Sequence, residues 1–182
     1  MKIAGAILAG GNAKRLNGIA KGNIKIYNKT IIENLIEAFD FAGISDIVIS
    51  SNNQDLYKQY HKPVISDCKK NIGPLAGIEA TLAHFKKYNA VIFVPCDLPN
   101  ITGKELLILK NASNTNITYV KTNERIHPLC VVISTNKLNA ISNIINDGER
   151  KVLNVWNKLN AKVVHYKDEN KFFNINNIDD IL

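Results

Sequence analysis

The residues best suited to chemistry fall into a few short clusters. In LAGGNAKRLNG, adjacent Gly10 and Gly11 are followed by Arg15, Gly18 and, in AKGN, Lys21. Glycine takes positive φ without steric penalty, so successive backbone N–H groups there curve into a hollow that suits an anion. Arg15 adds a planar fork of donors that fits phosphate oxygens, and Lys21 adds a compact charge. A plain tight turn is the competing account; the density of glycines and cations favours a phosphate cradle. The spacing matches neither GxxxxGK[ST] nor GxGxxG. A second cluster, Pro95-Cys96-Asp97-Leu98-Pro99, sets a carboxylate in a stiff segment. Asp is a hard oxygen ligand of the kind Mg2+ takes together with substrate phosphates, or else a turn cap. Asp67, in VISD, either caps a turn or faces a base edge with two N–H donors, as guanine has.

Other stretches carry weaker signals. Gly73-Pro74-Leu75-Ala76-Gly77 opens a helix, and Gly77 leaves room either for a base or ribose or for close packing. Cys96 reads as a small buried residue, because its neighbour Asp97 disfavours a thiolate. His127, in His127-Pro128-Leu129, reads as structural. In Gly148-Glu149-Arg150-Lys151-Val152, two cations either lie on a solvated face or grip a second anionic substrate. Asn174 and Asn176 lie on one side of an extended segment, where they can bind polar ligand groups or cap a last helix.

These residues need elements to position them. Ile3 to Leu8, Asp46 to Ser50, Val64–Ile65, Ala90 to Val94, Ile117 to Val120, Leu129 to Ile133 and Val163 to Tyr166 read as strands. Ala90 to Val94 is continuously apolar and is expected at the centre of a sheet. Helical spacing recurs from Ile31 through Ile32, Leu35, Ile36 and Phe39, ending at Gly43. A short helix is expected around Asp55 to Tyr60. Further helices are expected over Pro74 to His84, from a Thr102 cap to Leu109, over Asn136 to Ile145, over Lys151 to Leu159, and from Ile178 onward. Strands alternating with helices predict a mostly parallel α/β sheet covered on both faces, with ligands at the carboxyl ends of its strands.

The 182 residues, 46% hydrophobic and 21% charged, suit one globular domain spanning 1–182. No apolar run approaches the roughly 18 residues a membrane helix needs, and the run from Ile3 is too short for a secretory signal. Cys68, Cys96 and Cys130 lie far apart, which suits a reducing compartment. A cytoplasmic protein is expected. The net charge of +7 fits anionic ligands or merely scattered lysines. No basic stripe with interleaved aromatics points to nucleic acid.

In order along the chain, LAGG-x3-R-hydrophobic-x-G with a following Lys, VISD, GPLAG, PCDLP, HP, GERKV and FFNIN resemble the molybdenum cofactor guanylyltransferases. These belong to the nucleotide-diphospho-sugar-transferase-like nucleotidyltransferases, so the resemblance implies a three-layer α/β/α Rossmann-like fold. It implies that Leu8, Ala9 and Gly10 contact GTP, with Gly11 in the same turn, and that Lys21 meets the phosphates. It further implies that Asp67 binds the guanosine part and that Asp97 holds Mg2+ beside the nucleotide. Ser50 aligns with an Asn of the family that contacts the nucleotide, with Asn52 two residues on. By the same resemblance, Arg15, Gly18, Arg150, Asn174 and Asn176 are expected to receive the molybdopterin. Arg15, Lys21 and Asp97 are the expected catalytic groups, transferring GMP from GTP to the terminal phosphate of Mo-molybdopterin and releasing pyrophosphate. Molybdopterin-handling or molybdoenzyme-maturation proteins are the implied partners, with no nucleic acid and no membrane. Ala20 replaces a usual Asp, and Lys151 a second Arg. A cytidylyltransferase acting on molybdopterin or on a sugar or polyol phosphate, and a non-catalytic binding module, are the rival readings.

Overall fold

The computed structural model describes residues 1–10, 19–69, 72–114 and 116–175. The first strand, β1 (Ile3–Leu8), is followed by a 3-10 turn at Lys21–Asn23 and a small hairpin of β2 (Lys25–Ile26) and β3 (Lys29–Thr30). Next come α1 (Ile31–Phe41), β4 (Ile47–Ser50), β5 (Val64–Ile65), α2 (Pro74–His84) and β6 (Ala90–Pro95). The remaining elements are α3 (Gly103–Asn111), β7 (Ile117–Lys121), β8 (Ile126–Ser134), α4 (Leu138–Asn146), α5 (Val152–Lys158) and β9 (Lys162–His165). The helix expected from Ile178 lies outside the described residues. No described helix is long and apolar enough to cross a membrane.

The larger sheet has seven strands among the described residues, ordered β5-β4-β1-β6-β8-β7-β9. Strands β5, β4, β1 and β6 pair in parallel. β8 runs antiparallel to both β6 and β7, and β9 returns parallel to β7. The sheet is therefore mostly parallel, and the apolar β6 stands at its middle, as its composition predicts.

Strand alternation supplies two cores. Ile7, Ile49, Ile92 and Val94 face α1 and α3, burying Leu35 and Phe39 of α1 and Leu106 and Leu109 of α3. Ala6, Leu8, Val48, Val91 and Phe93 face the other way, against Leu75 and Ile78 of α2, Ile141 and Ile145 of α4 and Trp156 of α5. Each such fully buried Leu, Ile or Phe contributes about 1.5–3 kcal/mol relative to exposure. Two helix starts are set by local chemistry. Thr30 and Glu33 form a reciprocal box at the start of α1, with Glu33 N donating to Thr30 Oγ1 at 3.2 Å and Thr30 N to the Glu33 carboxylate at 2.7 Å. Thr102 and Glu105 repeat the device on α3, as expected for the Thr102 cap.

Candidate active site

The strand register brings the sequence clusters together. Leu8 stands opposite Ser50 on one side and Pro95 on the other, and Ser50 stands opposite Ile65. Ile65, Ser50, Leu8 and Pro95 therefore form one row across the carboxyl rim of four parallel strands. Two residues beyond that row come Asp67, Asn52, Gly10 and Asp97. The ladder runs on past the strand ends: Ala9 N donates to Ser50 O at 2.9 Å, Ser51 N to Ile65 O at 2.9 Å, and Cys96 N to Leu8 O at 3.0 Å. These bonds carry the ladder one residue past the strand ends, and within the last paired row Ile65 and Pro95 stand three strand spacings apart, about 14 Å by strand geometry.

A cavity of about 190 Å³ opens on this rim. Leu8, Gly10, Lys21, Ser50, Asp67 and Asp97 all line it, together with Gly73, Gly77 and Leu129. Ala9 does not line it; its backbone completes the ladder, and its carbonyl lies 3.4 Å from the Tyr57 hydroxyl. Gly11, Arg15, Gly18 and Asn176 lie outside the described residues. Asn174 is half-buried, next to Ile175. Arg150 is exposed and does not line the cavity. Its Nη1 donates to the carbonyls of Ile145 at 2.7 Å and Glu149 at 2.8 Å, at the end of α4.

At the β6 tip, Lys21 Nζ lies 3.9 Å from Asp97 Oδ2 and donates to the Ile175 carbonyl at 2.7 Å. The N–H of Ile175 donates back to the Asp97 carbonyl at 2.9 Å. One fully buried peptide of the C-terminal segment thus joins the lysine to the acid. A Cβ on Gly22 would stand 2.8 Å from Ile32 and 3.4 Å from Cys96, so glycine is what lets the Lys21 turn approach this tip. Burial pushes the Asp97 carboxyl above the usual range, opposed by the Lys21 ammonium. Oδ1 of Asp97 is buried and meets no hydrogen-bond partner among the described residues. A buried, unsatisfied carboxylate oxygen is a position that fits a hard cation. The described residues hold no group of three or more His, Cys, Asp or Glu side chains that could hold a metal. Phosphate and water oxygens are the further hard ligands that such a cation takes beside one carboxylate.

The other end of the row is built differently. Asp67 Oδ2 accepts from Asn52 Nδ2 at 2.8 Å, while Asp67 N donates to Asn52 Oδ1 at 2.8 Å. Sequence reading treated Asn52 only as a neighbour of Ser50; its signal was its place two residues past the rim, which it shares with Gly10, Asp67 and Asp97. Gly77 does spare space, and the space is taken by protein, which is the close-packing alternative. A Cβ there would stand 2.4 Å from Ser50 Oγ and 3.3 Å from Asp67 Oδ1. Cys96 is buried, and burial pushes its thiol up to about 12, which removes it as a nucleophile. His127 does not line the cavity; Thr122 Oγ1 lies 3.2 Å from its Nε2, and Phe172 packs on its ring. Burial pushes its pKa down.

The sheet order is that of the nucleotidyltransferases of the nucleotide-sugar-transferase type, with a glycine, a lysine and a carboxylate lining one cavity at its rim. A crystal structure of molybdopterin-guanine dinucleotide biosynthesis protein A from Archaeoglobus fulgidus superposes with a TM-score of 0.75 at 25% identity, over 98% of this chain and 94% of that one. The chain belongs to the MobA-like NTP transferase domain family, whose model matches residues 5–163. A molybdenum cofactor guanylyltransferase of Mannheimia succiniciproducens is 35% identical over 98% of this chain and 96% of its own length. One from Pasteurella multocida is 34% identical over 96% and 95%.

Proposed function

We propose that this protein transfers GMP from GTP to the terminal phosphate of Mo-molybdopterin and releases pyrophosphate. The observation that carries this reading is the single cavity shared by Gly10, Lys21, Asp67 and Asp97 along one strand rim. The relatives named molybdenum cofactor guanylyltransferase support the choice of nucleotide and acceptor.

Asp67 accepts from the two N–H donors on the guanine edge. Leu8, Gly10 and Ser50, which line the cavity, contact the nucleotide, and Ala9 and Gly11 belong to the same contacting stretch of sequence. Lys21 meets the triphosphate, and Arg15 joins it in neutralising the departing pyrophosphate. The residues at Asp97 fit Mg2+, which when bound supplies further charge neutralisation for the phosphates. Arg15, Gly18, Arg150, Asn174 and Asn176 receive the acceptor. As the acceptor's oxygen bonds to the α-phosphorus, the bond to the bridging oxygen breaks and its electron pair leaves with pyrophosphate. A phosphate monoester is already ionised near neutral pH, so the protein need supply no general base and its task is positioning. That accounts for a site in which neither His127 nor Cys96 is poised to move a proton.

The test is pyrophosphate release from GTP in the presence of molybdopterin and Mg2+. Asp97→Asn should lower turnover by at least about a hundredfold, the scale of removing one preorganised electrostatic group, while keeping a folded thermal transition. A variant that turns over like the parent overturns the role of Asp97.

A further inference from the structure

We infer that Asn52 is a positioning residue that sets the preference for guanine by fixing the Asp67 carboxylate through a reciprocal pair of hydrogen bonds. The inference rests on the proposal that Asp67 reads the base. Asn52 does not line the cavity, whereas Asp67 does, so Asn52 acts through its neighbour and not on a ligand. Its amide cannot be turned round: Oδ1 already accepts from the Asp67 N–H, and this leaves Nδ2, a donor, facing the carboxylate. One side chain thus grips both the backbone and the side chain of Asp67.

The rest of the loop pair reinforces this geometry. Ser51 N donates to Ile65 O at 2.9 Å and Ser66 Oγ to Ser51 O at 3.3 Å, so the segments after β4 and β5 stay side by side. Asn52 engages Oδ2, and the other oxygen, Oδ1, lies on the Gly77 side, 3.3 Å from the position of a Gly77 Cβ. The Asn52 bond therefore restricts rotation of the carboxylate, which belongs to a residue lining the cavity. Angle matters because guanine offers N1–H and an exocyclic amine side by side, and one carboxylate meets both only when its plane matches the base edge. Hypoxanthine has the N1–H but no exocyclic amine. Adenine has no N1–H, so the same carboxylate opposes it.

The test measures the affinities of GTP, ITP and ATP by calorimetry with Mg2+ present, which needs no acceptor, on the full chain and on Asn52→Ala. The parent should favour GTP over ITP and ITP over ATP. In Asn52→Ala, GTP affinity should fall about tenfold and ITP affinity by clearly less, so that the GTP/ITP ratio collapses towards one while the thermal midpoint stays near that of the parent. In an Asp67→Asn background, adding Asn52→Ala should change the ratio no further, because the residue it positions is already disabled. Equal losses for all three nucleotides, an unchanged ratio, or full additivity with Asp67→Asn each overturn the inference while leaving the base-reading role of Asp67 intact. A parent that shows no preference for GTP overturns that role itself, and the inference with it.

Discussion

Ser50 and Gly77 divide one small volume between β4 and α2, and that division sets what each position tolerates. Ser50 is 1% exposed, and its hydroxyl occupies the space a Gly77 side chain would need. Gly77→Ala would place a methyl 2.4 Å from that oxygen, closer than real contacts allow. Something must shift, and overpacking of this kind costs about 1–3 kcal/mol. The expected outcome is a lowered thermal midpoint and weakened GTP binding, since Asp67 Oδ1 lies on the same side of the glycine. Ser50→Ala removes the obstructing oxygen and should recover much of the lost stability in the double variant, measured by thermal unfolding; no recovery would mean that the strain lies elsewhere. At this scale the sequence disclosed types but not partners. Asp97 stood out because an acid between prolines is unusual, and Gly77 because a second glycine follows Gly73 so closely. That Gly77 makes room for Ser50 depends on a contact between residues far apart in the chain, which no local pattern records.

Elements were legible wherever the hydrophobic period was long. Ile32, Leu35, Ile36 and Phe39 define α1 because their apolar face spans about two turns, and the observed helix, Ile31–Phe41, ends just before Gly43. The hairpin at Lys25–Thr30 escaped notice because two residues per arm give no period to read. The interruption in β8 also escaped. The pairing steps from Tyr119–Val131 to Val120–His127, so Pro128, Leu129 and Cys130 are skipped. An apolar run through Leu129 to Ile133 looks continuous in sequence whether or not it is paired. The skipped stretch turns Leu129 onto the cavity, and Trp156 Nε1 holds it by donating to the Pro128 carbonyl at 2.8 Å. Between α4 and α5 the organiser is Glu149, whose Oε1 accepts from the N–H groups of Lys151 and Arg150, each at 3.0 Å, and from Asn154 at 3.2 Å. These bonds, the Lys151 N–H foremost, pull its pKa from 4.5 down to about 2. A carboxyl whose pKa is depressed by folding stabilises the native state above its unfolded pKa and ceases to do so as pH falls through the folded one. Glu149→Gln should therefore lower the thermal midpoint at neutral pH, and the gap from the parent should close between about pH 4.5 and 2. A gap independent of pH would assign the loss to packing and not to the ionised carboxylate.

For the whole molecule, the decisive arrangement is that four parallel strands end in register, so that residues scattered from Gly10 to Asp97 meet on one rim. The alternation of strands and helices made such a rim predictable; which residues would share a row depended on register, which the sequence pattern does not specify when strands are apolar on both faces. Around that rim lies a chain with 23 Lys and Arg against 16 Asp and Glu, a net charge of +7. Both substrates of the proposed reaction are polyanions, so the field of the whole protein should draw them in and should be screened by salt. Raising ionic strength from about 0.05 to about 0.5 M shortens the screening length from over 10 Å to a few ångströms. It should lower kcat/KM for GTP by roughly three- to tenfold through KM, the range expected when steering is lost but contact pairs survive. The maximal rate should change little, because Lys21 is only slightly exposed beside Asp97 and the contacts proposed for it with bound phosphate would be short-ranged. If kcat/KM holds constant across that range at fixed Mg2+, the surplus of positive charge plays no part in substrate capture, and the lysines away from the rim serve only to keep the surface solvated.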